Sequence, residues 1–364
     1  MPLVPRHIQE LKSYKPGRNI DEVQNKFGLD RVIKLASNEN PTGPSPKALE
    51  AVEKTLKENF RYPDAAALLL RKKLANKFKL KIENVTVGAG SEGVMSAIMR
   101  TFLRMGDEII AADNSFIGFR VLANASGVRA NWIPLNHSHH DLTEMAVHIN
   151  DYTKIIYLAN PDNPTGTYFT IEEFDAFMEE VPNRVLVILD EAYFEYAQHL
   201  DDYPDSMHYR YDNVITLRTF SKAHGLAGFR AGYGFAHEDL IENLMKVKLP
   251  FEPSWPAQIA AMAALDDAEY IKHTVDQCQI GMKKLEVAFR EMDIESIPSA
   301  ANFLTIVFNS EEEAEMFNES MLQNGIILRH LKGWGLPDCI RITIGSEEEI
   351  KYFIEQLASI VQAI

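Results

Sequence analysis

The chain has 364 residues, 46% hydrophobic and 24% charged, which suits about two globular domains and excludes a disordered, collagen-like or coiled-coil protein. Its 37 Lys+Arg against 52 Asp+Glu leave a net charge of −15, which argues against a non-specific grip on nucleic-acid phosphates. Two cysteines, Cys278 and Cys339, are too few for a disulfide framework. No apolar run approaches the ~20 residues that span a bilayer, and the first residues carry no apolar leader, so a cytoplasmic location away from membranes is expected.

In chain order, short apolar runs at 84–87, 108–112, 130–134, 154–159, 185–189 and 213–217 are expected strands. Helical patterns lie between them, at 91–103 and Ile171–Glu180, the second opened by Thr170 and Glu173 as a capping box. This alternation predicts an α/β fold whose mainly parallel sheet is covered on both faces, with the active site at the strands' carboxyl ends. From about Ser254 the order changes to a long helical stretch (256–292), a strand (302–308), a helix with an acidic first turn, and strand-like 325–331 and 339–344. A smaller α+β domain is expected there. The expected division is a large cofactor-binding domain at 45–253, with 1–44 and 254–364 supplying an N-terminal segment plus a small C-terminal domain.

Four strings carry chemistry. Val87-Gly-Ala-Gly-Ser-Glu-Gly93 follows a strand and precedes a helix, with Asp113 ending the next strand; it suits a dinucleotide fingerprint, a single-phosphate loop or a plain glycine-rich turn equally. Asn160-Pro-Asp-Asn-Pro-Thr-Gly166 is a sharply shaped turn presenting Asn side chains, or simply a rigid turn. In 185–193 an apolar strand runs straight into Asp190, a carboxylate that needs a cationic partner at that depth unless it is an ordinary helix N-cap. The fourth string, 219–230, sets Lys222 among small hydroxyls at −3 and −1 and an Arg eight residues on, an anion-binding group beside an amine.

Together and in this order the four strings resemble pyridoxal-phosphate enzymes of the aspartate-aminotransferase fold, over nearly the whole chain. The resemblance implies that Lys222 is the catalytic lysine that bears the cofactor and shuttles the substrate's Cα proton. It also implies that Asp190 pairs with the ring nitrogen, and that Asn163 and Tyr193 hydrogen-bond the phenolic oxygen. Gly90, Ser91, Glu92, Thr219, Ser221 and Arg230 would meet the cofactor phosphate, and Phe119 would lie against the ring. A nicotinamide enzyme would leave Asn163, Asp190, Lys222 and Arg230 idle.

Further strings, 36–46, 61–64, 326–329 and 340–345, resemble the branch of that family that transaminates L-histidinol phosphate with 2-oxoglutarate in histidine biosynthesis. By that resemblance Arg341 binds the glutamate α-carboxylate and, in the other half-reaction, the substrate phosphate. Arg329 is a second phosphate ligand, and Tyr14 or the segment around Asn38 closes over the substrate. Tyr62 would reach the cofactor phosphate of the neighbouring subunit in a homodimer. Close relatives in the branch act on aromatic amino acids or decarboxylate a phospho-amino acid, and 331–337 suits an imidazole or a phenyl pocket; both alternatives stay open. A non-enzymatic regulator is disfavoured by the charge and by the lack of a DNA-binding segment. His137-Ser-His-His140 is expected to be a solvated loop rather than a metal site, and no metal is expected.

Overall fold

The computed structural model describes residues 3–11, 17–208 and 211–361. Tyr14 lies outside the described residues. In chain order the strands are β1 (Ile33–Lys34), β2 (Val85–Gly88), β3 (Glu108–Ala112), β4 (Arg129–Ile133), β5 (Thr153–Ala159), β6 (Leu186–Asp190) and β7 (Val214–Thr219). They continue as β8 (Gly232–Phe235), β9 (Ser296–Ile297), β10 (Phe303–Val307), β11 (Ile326–Ile327), β12 (Arg329–His330) and β13 (Cys339–Thr343).

A seven-stranded sheet runs β2-β8-β7-β6-β5-β3-β4, parallel throughout except for β8, which is antiparallel to both neighbours. Its central strands are nearly continuous apolar runs because both faces are covered. Alternate β5 residues serve opposite cores: Ile155, Tyr157 and Ala159 pack with helices Gly90–Phe102, Ile117–Ser126 and Glu238–Val247, while Ile156 and Leu158 pack with Ile171–Glu180. The capping box at Thr170 and Glu173 forms as its spacing implies.

Strand β8 was not among the expected strands, since two of its four residues are glycines and it carries no apolar run. It is fully buried, and a Cβ on Gly232 would come within 2.3 Å of the Ser91 nitrogen, so only glycine lets it pass the start of helix Gly90–Phe102. Its register aligns Gly88 and Thr219 on either side of Gly232, while β5 and β6 align Ala159 with Asp190. The carboxyl ends of four strands and the start of β8 thereby converge.

The expected helix over 256–292 is two helices, Trp255–Leu265 and Ala268–Glu291, interrupted at Asp266 and Asp267. The first packs its alanines (Ala257, Ala260, Ala261, Ala264) with Ala48, Val52, Leu70 and Leu74 of the large unit. The second packs with an antiparallel sheet ordered β12-β13-β10-β9, helices Glu311–Gln323 and Glu347–Val361, and Ile33 and Leu35 of the N-terminal segment. We propose that the two units divide at Asp266 and Asp267 rather than at 253/254. No described helix is long and apolar enough to cross a membrane.

Candidate active site

A cavity of ≈ 350 Å³ opens where these strand ends meet, and it is lined by Ser91 and Glu92, by Asn163, Asp190 and Tyr193, and by Thr219, Ser221, Lys222 and Arg230. Nine of the expected cofactor residues thus share one space. Gly90 sits beside them with φ of 76°, where a Cβ would strike the Arg230 guanidinium.

One end of the cavity is built for an anion. The start of helix Gly90–Phe102 brings unpaired backbone N–H groups and a positive dipole end. The Thr219 hydroxyl donates to Ser221 Oγ at 3.0 Å, and Arg230 reaches toward Ser221 Oγ at 3.5 Å and to Glu92 Oε2 at 3.1 Å.

The other end is buried and protic. Asp190 Oδ2 accepts the Tyr157 hydroxyl at 2.9 Å, and Oδ1 has no hydrogen-bond partner. The cationic partner expected for Asp190 goes instead to its neighbour: Arg218 pairs with Glu191 at 2.7 Å inside the core and with Asp205 at 2.9 Å. Burial therefore raises the Asp190 carboxyl to about 7, with the Tyr157 hydrogen bond opposing the rise. Lys222 is partly buried, its Nζ 3.3 Å from the Ser37 carbonyl, and burial together with the Arg341 charge lowers its pKa to about 8. Burial pushes the Tyr193 phenol up to about 12, so it stays protonated; it accepts the Asn38 side-chain amide at 2.9 Å.

The small unit contributes Arg341, buried on β13, which bonds Asn163 Oδ1 and the Ala36 carbonyl. Arg329 on β12 is directly opposite Arg341 and also faces the Ala36 carbonyl, and both guanidiniums lie near the Trp334 ring, at 5.7 and 5.8 Å. Asn38, at φ of 56°, exchanges hydrogen bonds with Thr343 and accepts from Asn302 through its carbonyl. It therefore ties the N-terminal segment to both units.

Two expectations need correction. Phe119 does not face the cavity: the helix starting at Ile117 turns it inward, where it is buried and stacked on Tyr157 at 3.9 Å. Phe116, at the cap position before that helix, lines the cavity instead. His140 is not solvated either; it is buried with Nε2 3.1 Å from Asp162 Oδ1, an oxygen that also accepts from Ser115. Among the described residues no group of three or more His, Cys, Asp or Glu could hold a metal. Tyr62 stands apart from the cavity, 81% exposed and stacked on Phe251 at 4.5 Å.

Two further residues that line the cavity, Tyr157 and Phe116, carry sequence signals of their own. A tyrosine inside a fully buried apolar strand needs a partner for its hydroxyl. Phe116 immediately precedes a helix at the end of a parallel strand's loop, a position open to ligands.

This constellation of a lysine beside a carboxylate at converging strand ends, with an anion-binding helix start, defines a class. Residues 30–357 match the family Aminotransferase class I and II, and the chain belongs to that family. Among its relatives, histidinol-phosphate aminotransferase 2 of Pseudomonas fluorescens is 39% identical over 97% of this chain and 96% of its own length. The protein of the same name from Carboxydothermus hydrogenoformans is 38% identical over the full length of both. The crystal structure of histidinol-phosphate aminotransferase from Sinorhizobium meliloti in complex with pyridoxal-5′-phosphate superposes with a TM-score of 0.91 at 26% identity, covering 100% of this chain and 98% of that one.

Pyridoxal phosphate, the family's cofactor, fits the residues present. The unpartnered Asp190 oxygen suits a protonated ring nitrogen, the helix start with Arg230 suits a phosphate, and the depressed Lys222 amine suits an aldehyde.

Proposed function

We propose that the chain is a pyridoxal-phosphate-dependent aminotransferase that moves the amino group of L-histidinol phosphate to 2-oxoglutarate, yielding imidazole-acetol phosphate and L-glutamate in histidine biosynthesis. The observation that carries this reading is the meeting of Lys222 and Asp190 in one cavity whose Asn163 is held by Arg341. The full-length relatives of that name support it.

Bound there, pyridoxal phosphate supplies an aldehyde carbon that takes the amino group and a ring that draws electrons from the substrate's Cα. Lys222 would hold it, and near neutral pH a usable fraction of Nζ is unprotonated, able to take the Cα proton and return it. Asp190 would keep a positive charge on the ring nitrogen. Tyr193 and Asn163 offer hydrogen bonds to the phenolic oxygen, and Phe116 supplies a ring wall. Ser91, Thr219, Ser221, Arg230 and the backbone from Gly90 would take the phosphate.

Arg341 presents a fork that matches a carboxylate or a phosphate, and Arg329 adds a second cation suited to a dianion. Asn38 would close on the substrate.

The working unit in this reading is a cytoplasmic homodimer with Tyr62 contributed to the partner's cofactor phosphate. The exposure of Tyr62, with Phe60 and Leu69 bare nearby, supports such a face. The free thiols Cys278 and Cys339 suit a reducing compartment.

The test is chemical. Borohydride reduction of the holoenzyme should fix the cofactor on Lys222, as read by peptide mapping. Attachment at another lysine would overturn the site assignment.

A further inference from the structure

Tyr157 lies diagonally across from Asp190 on neighbouring strands: it aligns with Ile188, two residues before Asp190 on the same face. Its hydroxyl donates to Asp190 Oδ2 at 2.9 Å, while Asp190 Oδ1 is left without a partner. The Tyr157 ring is fully buried and clamped by Phe119, with centroids 3.9 Å apart and planes 10° from parallel. Burial and the Asp190 charge hold the phenol far above its ordinary value, so it remains a donor.

We infer that Tyr157 is a positioning residue that acts through Asp190: its hydrogen bond, steadied by Phe119, keeps the proton shared between Asp190 and the cofactor's ring nitrogen on the nitrogen. This inference rests on the pyridoxal-phosphate assignment and deepens it.

The argument is one of competing basicities. A hydrogen bond donated to a carboxylate stabilises its charged form and makes it a weaker base. Burial and the nearby charges of Glu92 and Glu191 work the other way, favouring a neutral acid. With Tyr157 in place the buried pair is carboxylate and pyridinium. Without the hydroxyl the proton shifts toward Asp190, the pair becomes neutral, and the ring loses the charge that draws electrons from the substrate. The shift would break the ring N–H bond and form an O–H bond on Asp190, with no change of oxidation state. Phe119 finds its purpose here, as the wall that fixes the phenol rather than the cofactor.

The experiment is ¹⁵N NMR of holoenzyme loaded with ring-¹⁵N pyridoxal phosphate at one neutral pH, together with the cofactor's dissociation constant by equilibrium dialysis. The parent should show a protonated ring nitrogen. Tyr157→Phe should move the signal toward the unprotonated position and weaken cofactor binding about ten-fold, the scale of one lost hydrogen bond to a charged group. In an Asp190→Asn background, Tyr157→Phe should cost little further affinity, because its route is gone. An unmoved ¹⁵N signal, or the same affinity loss in both backgrounds, would overturn the inference by making Tyr157 merely structural. Phe119→Leu keeps the hydroxyl and should move the signal the same way by less; should Tyr157→Phe not fold, an unmoved signal in Phe119→Leu overturns the inference. A parent that binds no pyridoxal phosphate would instead overturn the assignment beneath it.

Discussion

Arg329 and Arg341 are direct partners across antiparallel strands β12 and β13, and both guanidiniums reach toward the same backbone oxygen, that of Ala36. Two like charges held side by side repel one another, and an anion bound between them would offset that repulsion. A phosphate dianion can engage both forks, whereas glutamate offers one carboxylate to Arg341. Replacing Arg329 with Gln should therefore slow the histidinol-phosphate half-reaction by roughly ten-fold to a few hundred-fold and leave the glutamate half-reaction much less affected. Arg341→Gln should damage both. Single-turnover kinetics with each substrate measures the difference, and equal losses for Arg329→Gln would remove it from phosphate recognition.

The Lys222 amine gives a pH signature in the cofactor-free protein. Its folded pKa of about 8 lies below the ordinary 10.5, so between those values the unfolded chain binds the extra proton and the folded state is neutral there. Stability contributed by this site therefore rises as pH climbs from about 8 to 10.5, and below about 8 the folded state carries a constant penalty. Cofactor-free Lys222→Met should melt higher than the parent at pH 7, and the gap should shrink by pH 10. A gap that does not change with pH would show that the amine is not destabilised by burial.

Tyr62 can be tested in mixed dimers. Pair a Tyr62→Phe chain with a Lys222→Ala chain: the only lysine-bearing site then takes its tyrosine from the Lys222→Ala partner. Cofactor affinity at that site should match the parent. A weakened affinity equal to that of the Tyr62→Phe homodimer would place the contact within one chain.

The residues that announced themselves in the sequence are those set at strand ends. Asp190 and Lys222 each follow an apolar run, and the strand-and-helix alternation implies which ends converge. What could not be seen depends on phase and long-range pairing. Phe116 and Phe119 are three residues apart, and only the helix start at Ile117 decides which one faces the cavity. The short strand at Gly232–Phe235 has too few apolar residues to stand out, yet its insertion between β2 and β7 sets the anion site. His140 looks solvated in a polar string because its partner, Asp162, lies 22 residues away. The pairing of Arg329 with Arg341 is likewise a matter of register across a hairpin.

The central claim, a transaminase built around Lys222 that prefers histidinol phosphate, is tested most directly by single-turnover absorbance of the holoenzyme. Histidinol phosphate, phenylalanine, tyrosine and glutamate are offered separately, and conversion of the cofactor to its amine form is followed. Histidinol phosphate and glutamate should each convert it, with histidinol phosphate well ahead of phenylalanine and tyrosine. Faster conversion by phenylalanine would contradict the account and make the protein an aromatic aminotransferase; no conversion by any of the four would contradict transamination itself.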